Sequence, residues 1–169
     1  IARTADGSMR DAQSLLDNVI AFSGEDTVST ETIRDTLGLI DRSSIHGMLE
    51  GLLNQDAQAC IDIVQSIYEF GFELSVFTAE LLECLRNATF LKLSPKVRKH
   101  VDLTDEDIQH LDALTADING ETLTQLFSAL METHDQVSRS NRPKIVLEMA
   151  IANLLTCRTA VPVDAIIAR

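Results

Sequence analysis

Apolar residues recur at three- and four-residue spacing through most of this chain, the period of helices that bury one face. Leu15, Leu16, Val19 and Ile20 make the first stripe, and Ser23-Gly24-Glu25-Asp26 breaks it. Thr27-Val28 reads as a short extended piece. Ser29 and Thr30 then cap a helix with Ile33, Leu37 and Ile40 on one face and Gly38 near its end. From Asp41 onward the helical period is almost unbroken. Ile45, Met48, Leu49, Leu52 and Leu53 form one face before the turn Asn54-Gln55-Asp56, and Cys60, Ile63, Val64, Ile67 and Tyr68 form the next, stopped by Gly71.

Two later segments are apolar on more than one side, as the middle of a bundle or an interface requires. The first carries Leu74, Phe77, Leu81, Leu85 and Ala88, widened by Val76, Leu82, Cys84 and Leu91, and ends at Pro95. The second runs from Arg142-Pro143 to about Leu155, with proline tolerated in the first turn. Between them, Ile108, Leu111, Leu114 and Ile118 follow a helix start at Thr104. The cleanest stripe, Leu123, Leu126, Phe127, Leu130, Met131, His134 and Val137, follows the turn Asn119-Gly120. The pattern predicts an all-α fold, a helical bundle.

Composition narrows the function more than the fold. The 169 residues are 45% hydrophobic and 24% charged, ordinary for a folded protein with a real core. A net charge of −12 argues against a broad nucleic-acid-binding face, which needs clustered Lys and Arg. Cys60, Cys84 and Cys157 have no paired spacing, so they read as reduced core thiols of a cytoplasmic protein rather than disulfides or zinc ligands. Neither a secretory leader nor an uninterrupted apolar run of about 20 residues occurs, so no membrane role is expected.

Candidate chemistry is sparse. Arg10 lies in the first turn of a helix that Ser8 can cap, close to the same-sign end of the helix dipole, where exposed charge costs about 0.3 to 1 kcal/mol. It is either a solvated surface side chain or a fork built to meet a phosphate beside free helix amides. Lys92, Lys96, Arg98, Lys99 and His100 form the one basic cluster, which suits a solvated helix end or a patch for phosphate or an acidic partner. Asp105, Glu106 and Asp107 follow Thr104 as a helix start does, and no histidine stands at a spacing that would make them a metal site. His134 lies on an apolar stripe and reads as a satisfied interior or edge histidine. His46, His100 and His110 are scattered singly, and no nucleophile and base can be paired by spacing. Gly47 and Gly51, four apart, fit either close approach of a neighbouring helix or accident.

The string Gly7-Ser8-Met9-Arg10-Asp11-Ala12, continued by Ser14-Leu15-Leu16-Asp17, resembles the sensor 2 helix in the lid of AAA+ clamp-loader ATPases, most closely the gamma/tau subunits of bacterial DNA polymerase III. Gln13 and Asn18 depart from the commonest residues of that helix and leave the arginine position untouched. Val28-Ser29 with Ile33 and Leu37-Gly38 continues the resemblance, as does Arg142-Pro143 with Leu147-Glu148-Met149. It implies the end of an AAA+ lid with the sensor 2 helix over 1–25, an all-helical collar (oligomerisation) domain over 26–159, and a tail over 160–169.

By that resemblance the chain is a piece of a longer bacterial cytoplasmic ATPase, an expectation that its start at Ile1 without methionine supports. Its collar would assemble hetero- and homo-oligomeric rings with other clamp-loader subunits, which load the sliding clamp onto primed DNA during replication. Arg10 would be the nucleotide-binding residue, reaching the phosphates of ATP held, with magnesium, elsewhere in the parent. The chain has no glycine-rich P-loop, so no enzymatic activity, catalytic residue, metal or cofactor is expected in this piece, nor direct nucleic-acid contact. The alternatives are a free-standing helical adaptor that binds a partner helix and a small metal-dependent enzyme built on His134. The stripe on the first helix, far from most of its lid partners, is expected to pack on the collar or a neighbouring chain, or to be poorly ordered.

Overall fold

Seven helices make up the described part of the chain, in a computed structural model that describes Ala5, residues 7–23, Ile33, Thr36, Gly38, residues 40–94, Val101 and residues 103–157, without the side chains of Phe22 and Cys157. The chain divides into two compact units, Ile1–Asp41 and Arg42–Arg169. Among the described residues there is no strand, and no helix is long and apolar enough to cross a membrane. The fold is all-α, as the periodicity predicts.

In the first unit α1 spans Met9–Ser23. Gly7 takes φ +82°, a left-handed conformation open to glycine, and so turns the chain into the helix. The Asp11 amide donates to Ser8 Oγ at 3.3 Å, the capping bond the sequence predicts. Of the four stripe residues Val19 is buried, Leu15 half-buried, and Leu16 and Ile20 exposed. The expected stripe is therefore covered only in part. The helix predicted over Ser29–Gly38 lies mostly outside the described residues.

The second unit contains α2 (Arg42–Asn54), α3 (Ala57–Glu69), α4 (Leu74–Leu93), α5 (Asp105–Leu114), α6 (Gly120–Arg139) and α7 (Pro143–Cys157). α4 packs against each of the other five, which is the central place its wide apolar arc predicts. Phe77, Leu81 and Leu85 are almost wholly enclosed, and each contributes about 1.5 to 3 kcal/mol by leaving water. Its buried hydroxyls are satisfied locally: Thr89 Oγ1 donates to the Leu85 carbonyl at 2.7 Å, and Thr78 Oγ1 to that of Ser75 at 3.0 Å.

The connections show why the helices stop where they do. Gln55 adopts φ +60° after α2, and the Asp56 amide reaches back to the Gly51 carbonyl at 2.9 Å. Asp56 then caps α3 by accepting from the Ala59 amide at 3.0 Å, so two helices join through two residues. Gly71, at φ +79°, ends α3 in the same way, with the Phe72 amide bonded to the Ile67 carbonyl. Thr104 and Asp107 form a reciprocal capping box at α5, and Asn119 caps α6 through the Thr122 amide at 2.7 Å. Lys92, in the last turn of α4, donates to the carbonyls of Thr115 and Ala116 just past α5.

Candidate functional site

Four places in the fold carry the residues with chemistry. The first is the start of α1, where Arg10 is exposed at the second helical position. It makes no ion pair among the described residues. An exposed guanidinium beside a capped helix start suits contact with a phosphate, but a single cation does not hold a nucleotide. Asp6, its other acidic neighbour, lies outside the described residues.

The second is the junction of α2 and α3. A β-carbon on Gly51 would stand 2.7 Å from Cys60 Sγ, and one on Gly47 would stand 3.3 Å from Ile63 Cδ1. The glycine pair therefore marks a close helix approach, tightest at Gly51. Cys60 is buried beneath it, and burial, with a smaller push from Asp56, raises its thiol to about 11.

The third is polar and joins α2 to α5. Arg42 donates to Asp107 Oδ2, and one helical turn further along α2 the His46 ring stacks on His110, with centroids 4.7 Å apart. Burial alone would raise the Asp107 carboxyl. Bonds from the Thr104 hydroxyl and backbone amide, together with the Arg42 guanidinium, outweigh it and hold the group below its ordinary value. Cys84 lies within the field of the same pair and is pushed up to about 12, first by burial and then by Asp107. The expectation that His46 and His110 are scattered is thus corrected: residues 64 positions apart in sequence are brought into ring contact by the packing of α5.

Two shallow grooves form the fourth. One, of about 330 Å³, lies between α4 and α6 and is lined by Arg86, Thr89, Phe90, Leu93, Thr124 and Phe127. The Arg86 guanidinium lies over the Phe90 ring, 4.7 Å from its centroid. The other, of about 450 Å³, lies between α6 and α7, with Glu132 and Gln136 on one wall and Ile145, Met149 and Leu154 on the other. Leu93 is 64% exposed and Met149 59%, so both grooves carry bare apolar side chains at their edges.

The remaining candidates resolve simply. His134 Nδ1 is 2.8 Å from Thr78 Oγ1, which makes it a satisfied histidine at the α4–α6 contact. Asp105 and Glu106 are exposed at the α5 start while Asp107 serves the cap. Among the described residues no three His, Cys, Asp or Glu side chains are grouped to hold a metal ion. Of the basic cluster, Lys92 is engaged by carbonyls as above, whereas Lys96, Arg98, Lys99 and His100 lie outside the described residues. Sequence reasoning missed Lys144, which ties α7 to α3 by lying 4.8 Å from the Tyr68 ring centroid and donating to Gln65 Oε1. A cation one position after Pro143 was visible; its partners, some 75 residues earlier, were not.

Fold and surface together define a helical bundle module accompanied by a short, capped helix in a unit of its own. Residues 28–168 match the family model for DNA polymerase III subunits gamma and tau domain III, and residues 1–25 match that for the ATPase lid domain of the DNA polymerase III clamp loader subunit. The chain belongs to the gamma/tau family. It is 24% identical to the DNA polymerase III subunit tau of Bacillus subtilis over 95% of this chain and 28% of that protein. It is 26% identical to the gamma/tau subunit of Mycobacterium tuberculosis over 92% of this chain and 27% of the other. With the tau subunit of Salmonella typhimurium it shares 32% over 56% of this chain and 15% of that one. The chain thus spans about a quarter of the length of the first two relatives.

Proposed function

We propose that this chain is the end of the lid and the collar of a clamp-loader ATPase, and that its work is association: the bundle joins other clamp-loader subunits in a ring that places the sliding clamp on primed DNA. The observation that carries this reading is the match of residues 28–168 to domain III of the gamma and tau subunits, directly after a match of residues 1–25 to the lid. The exposed apolar side chains along α4, α6 and α7 support it, because surface of that kind is stabilised by a partner. ATP and magnesium belong, in this reading, to the parent's ATPase domain, in the cytoplasm of a bacterium. Arg10 is the one residue here that meets the nucleotide, as the sensor 2 arginine of the lid.

The role of Arg10 is tested by Arg10→Ala in the longer protein that carries this chain. ATP-dependent clamp loading should fall while subunit assembly, followed by sedimentation, stays intact. Loss of assembly, or clamp loading at the wild-type rate, would remove the sensor reading.

A further inference from the structure

We propose that the turn between α3 and α4 is a docking knob: Phe70, flanked by Glu69 and Glu73, enters an apolar pocket rimmed by Lys or Arg on a protein other than a second copy of this chain. The inference goes beyond the collar reading and does not depend on it. The turn leads into α4 at Leu74, about 20 Å along that helix from the groove around Thr89 and Phe90.

Closing α3 uses only part of this turn. The Gly71 amide donates to the Tyr68 carbonyl at 3.1 Å and the Phe72 amide to that of Ile67 at 3.1 Å, the pair of bonds that stops a helix on a left-handed glycine. Phe72, half-buried, holds the position where an apolar side chain customarily completes such a stop. Phe70 contributes its backbone, with its amide bonded to the Ser66 carbonyl at 3.0 Å. Its ring is 77% exposed, more than any other large apolar side chain among the described residues. The Phe72 ring stands beside it, with centroids 6.5 Å apart and planes tilted by 52°, and so supports one edge. An aromatic ring on a locked turn loses little freedom when a partner covers it, which is what an interface anchor requires.

Charge says what that partner must bring. Glu69 and Glu73 are exposed, and their carboxylates accept from neutral groups, the Gln65 amide and the Ser75 hydroxyl. Neither makes an ion pair among the described residues. Lys144, which reaches the end of α3 from α7, is taken up by the Tyr68 ring, Gln65 and Glu148. The turn is therefore apolar at its centre and negative at its edges. Nucleic acid does not fit, because its phosphates would meet carboxylates. A second copy would set a net charge of −12 against the same −12, and the cation of its α4–α6 groove, Arg86, already lies over Phe90. A pocket rimmed by Lys fits, and one rimmed by Arg fits better, since a guanidinium can bind a carboxylate and lie on an aromatic face.

Photo-cross-linking in the cells that make the longer protein tests it, with the benzophenone of Phe70→p-benzoylphenylalanine as the probe. The protein it captures is then purified and titrated against the longer protein by calorimetry. The cross-link should lie in an apolar pocket bordered by Lys or Arg, and Phe70→Ala should weaken binding by about tenfold or more. Glu69→Lys and Glu73→Lys should each weaken it by about threefold or more, a loss that shrinks as salt is raised to about 0.5 M. Tyr68→Ala, about 200° around α3 from Phe70, should bind within about twofold of the parent. The Phe70 ring takes no part in the bonds of the turn, so circular dichroism should show unchanged helix content in Phe70→Ala. A cross-link to a second copy of the chain or to nucleic acid overturns the inference, as does none at all. So does a pocket without a cation, or binding that Phe70→Ala leaves unchanged. The collar reading fails separately, if the longer protein does not assemble with clamp-loader subunits.

Discussion

On one side of α2 the junction with α3 is made by what Gly47 and Gly51 lack; on the other, the junction with α5 is made by what Arg42 and His46 present. The first is steric, its neighbouring backbone amides and carbonyls bonded to one another, and it has no room for an added methyl at Gly51. The second is half in water: the Arg42 side chain is 45% exposed and that of Asp107 12%. A helix can be fixed closely by a backbone approach that solvent does not weaken, and steered by charges that solvent does. The two junctions should accordingly fail under different conditions.

The largest effect is expected from Gly51→Ala. The new methyl would stand 2.7 Å from a buried sulfur, so α2 and α3 must part, at a cost of about 1 to 3 kcal/mol in urea unfolding. Adding Cys60→Ala should recover much of that loss, and strict additivity of the two changes would show that the contact is not the cause. Next comes Arg42→Ala, which leaves the Asp107 carboxylate with its Thr104 bonds but without its cation, and should cost about 1 kcal/mol near neutral pH after allowance for the exposure of Arg42.

The pH dependence of the polar junction follows from the direction of the Asp107 shift. Its carboxyl is held lower in the folded chain than in the unfolded one, so its contribution is complete above the ordinary carboxylate value of about 4 and is lost as pH falls through the depressed value. Unfolding measured from pH 7 down to about 2 should show this loss in the parent chain and a shallower one in Arg42→Ala. Equal slopes would mean that Arg42 does not hold the carboxylate. Gly47→Ala should do least, within about 0.5 kcal/mol of zero, because the 3.3 Å neighbour is the movable end of Ile63 and the gain in helix propensity offsets its displacement. A cost as large as that at Gly51 would mean the helices are pressed together along their whole length.

Local signals were legible in the sequence and distant pairings were not. Ser8, Asp56, Thr104 and Asn119 announce turns or helix starts within four residues of the amides they satisfy, and each makes its bond. The wide apolar arc of α4 foretold its central place, because a helix has only its own surface to bury. Gly47 and Gly51 stood out at helical spacing, yet only Cys60 and Ile63 across the gap decide between close approach and accident. Arg42 and Asp107, 65 residues apart, carry no shared local signal, and neither do His46 and His110. The grooves are intermediate. The excess of apolar positions on the last helix was evident, but the bare side is set by which of its residues α2, α3, α4 and α6 cover.

Cys60 has one further consequence, as a clock. A thiol raised to about 11 and closed off beneath Gly51 is almost never a thiolate while the helices are shut, so an alkylating reagent meets it only after they have opened. The rate at which that sulfur is labelled is then the rate of a door rather than of a reaction: with reagent in excess it counts the openings between α2 and α3 one by one, and with reagent scarce it weighs the population of the open form.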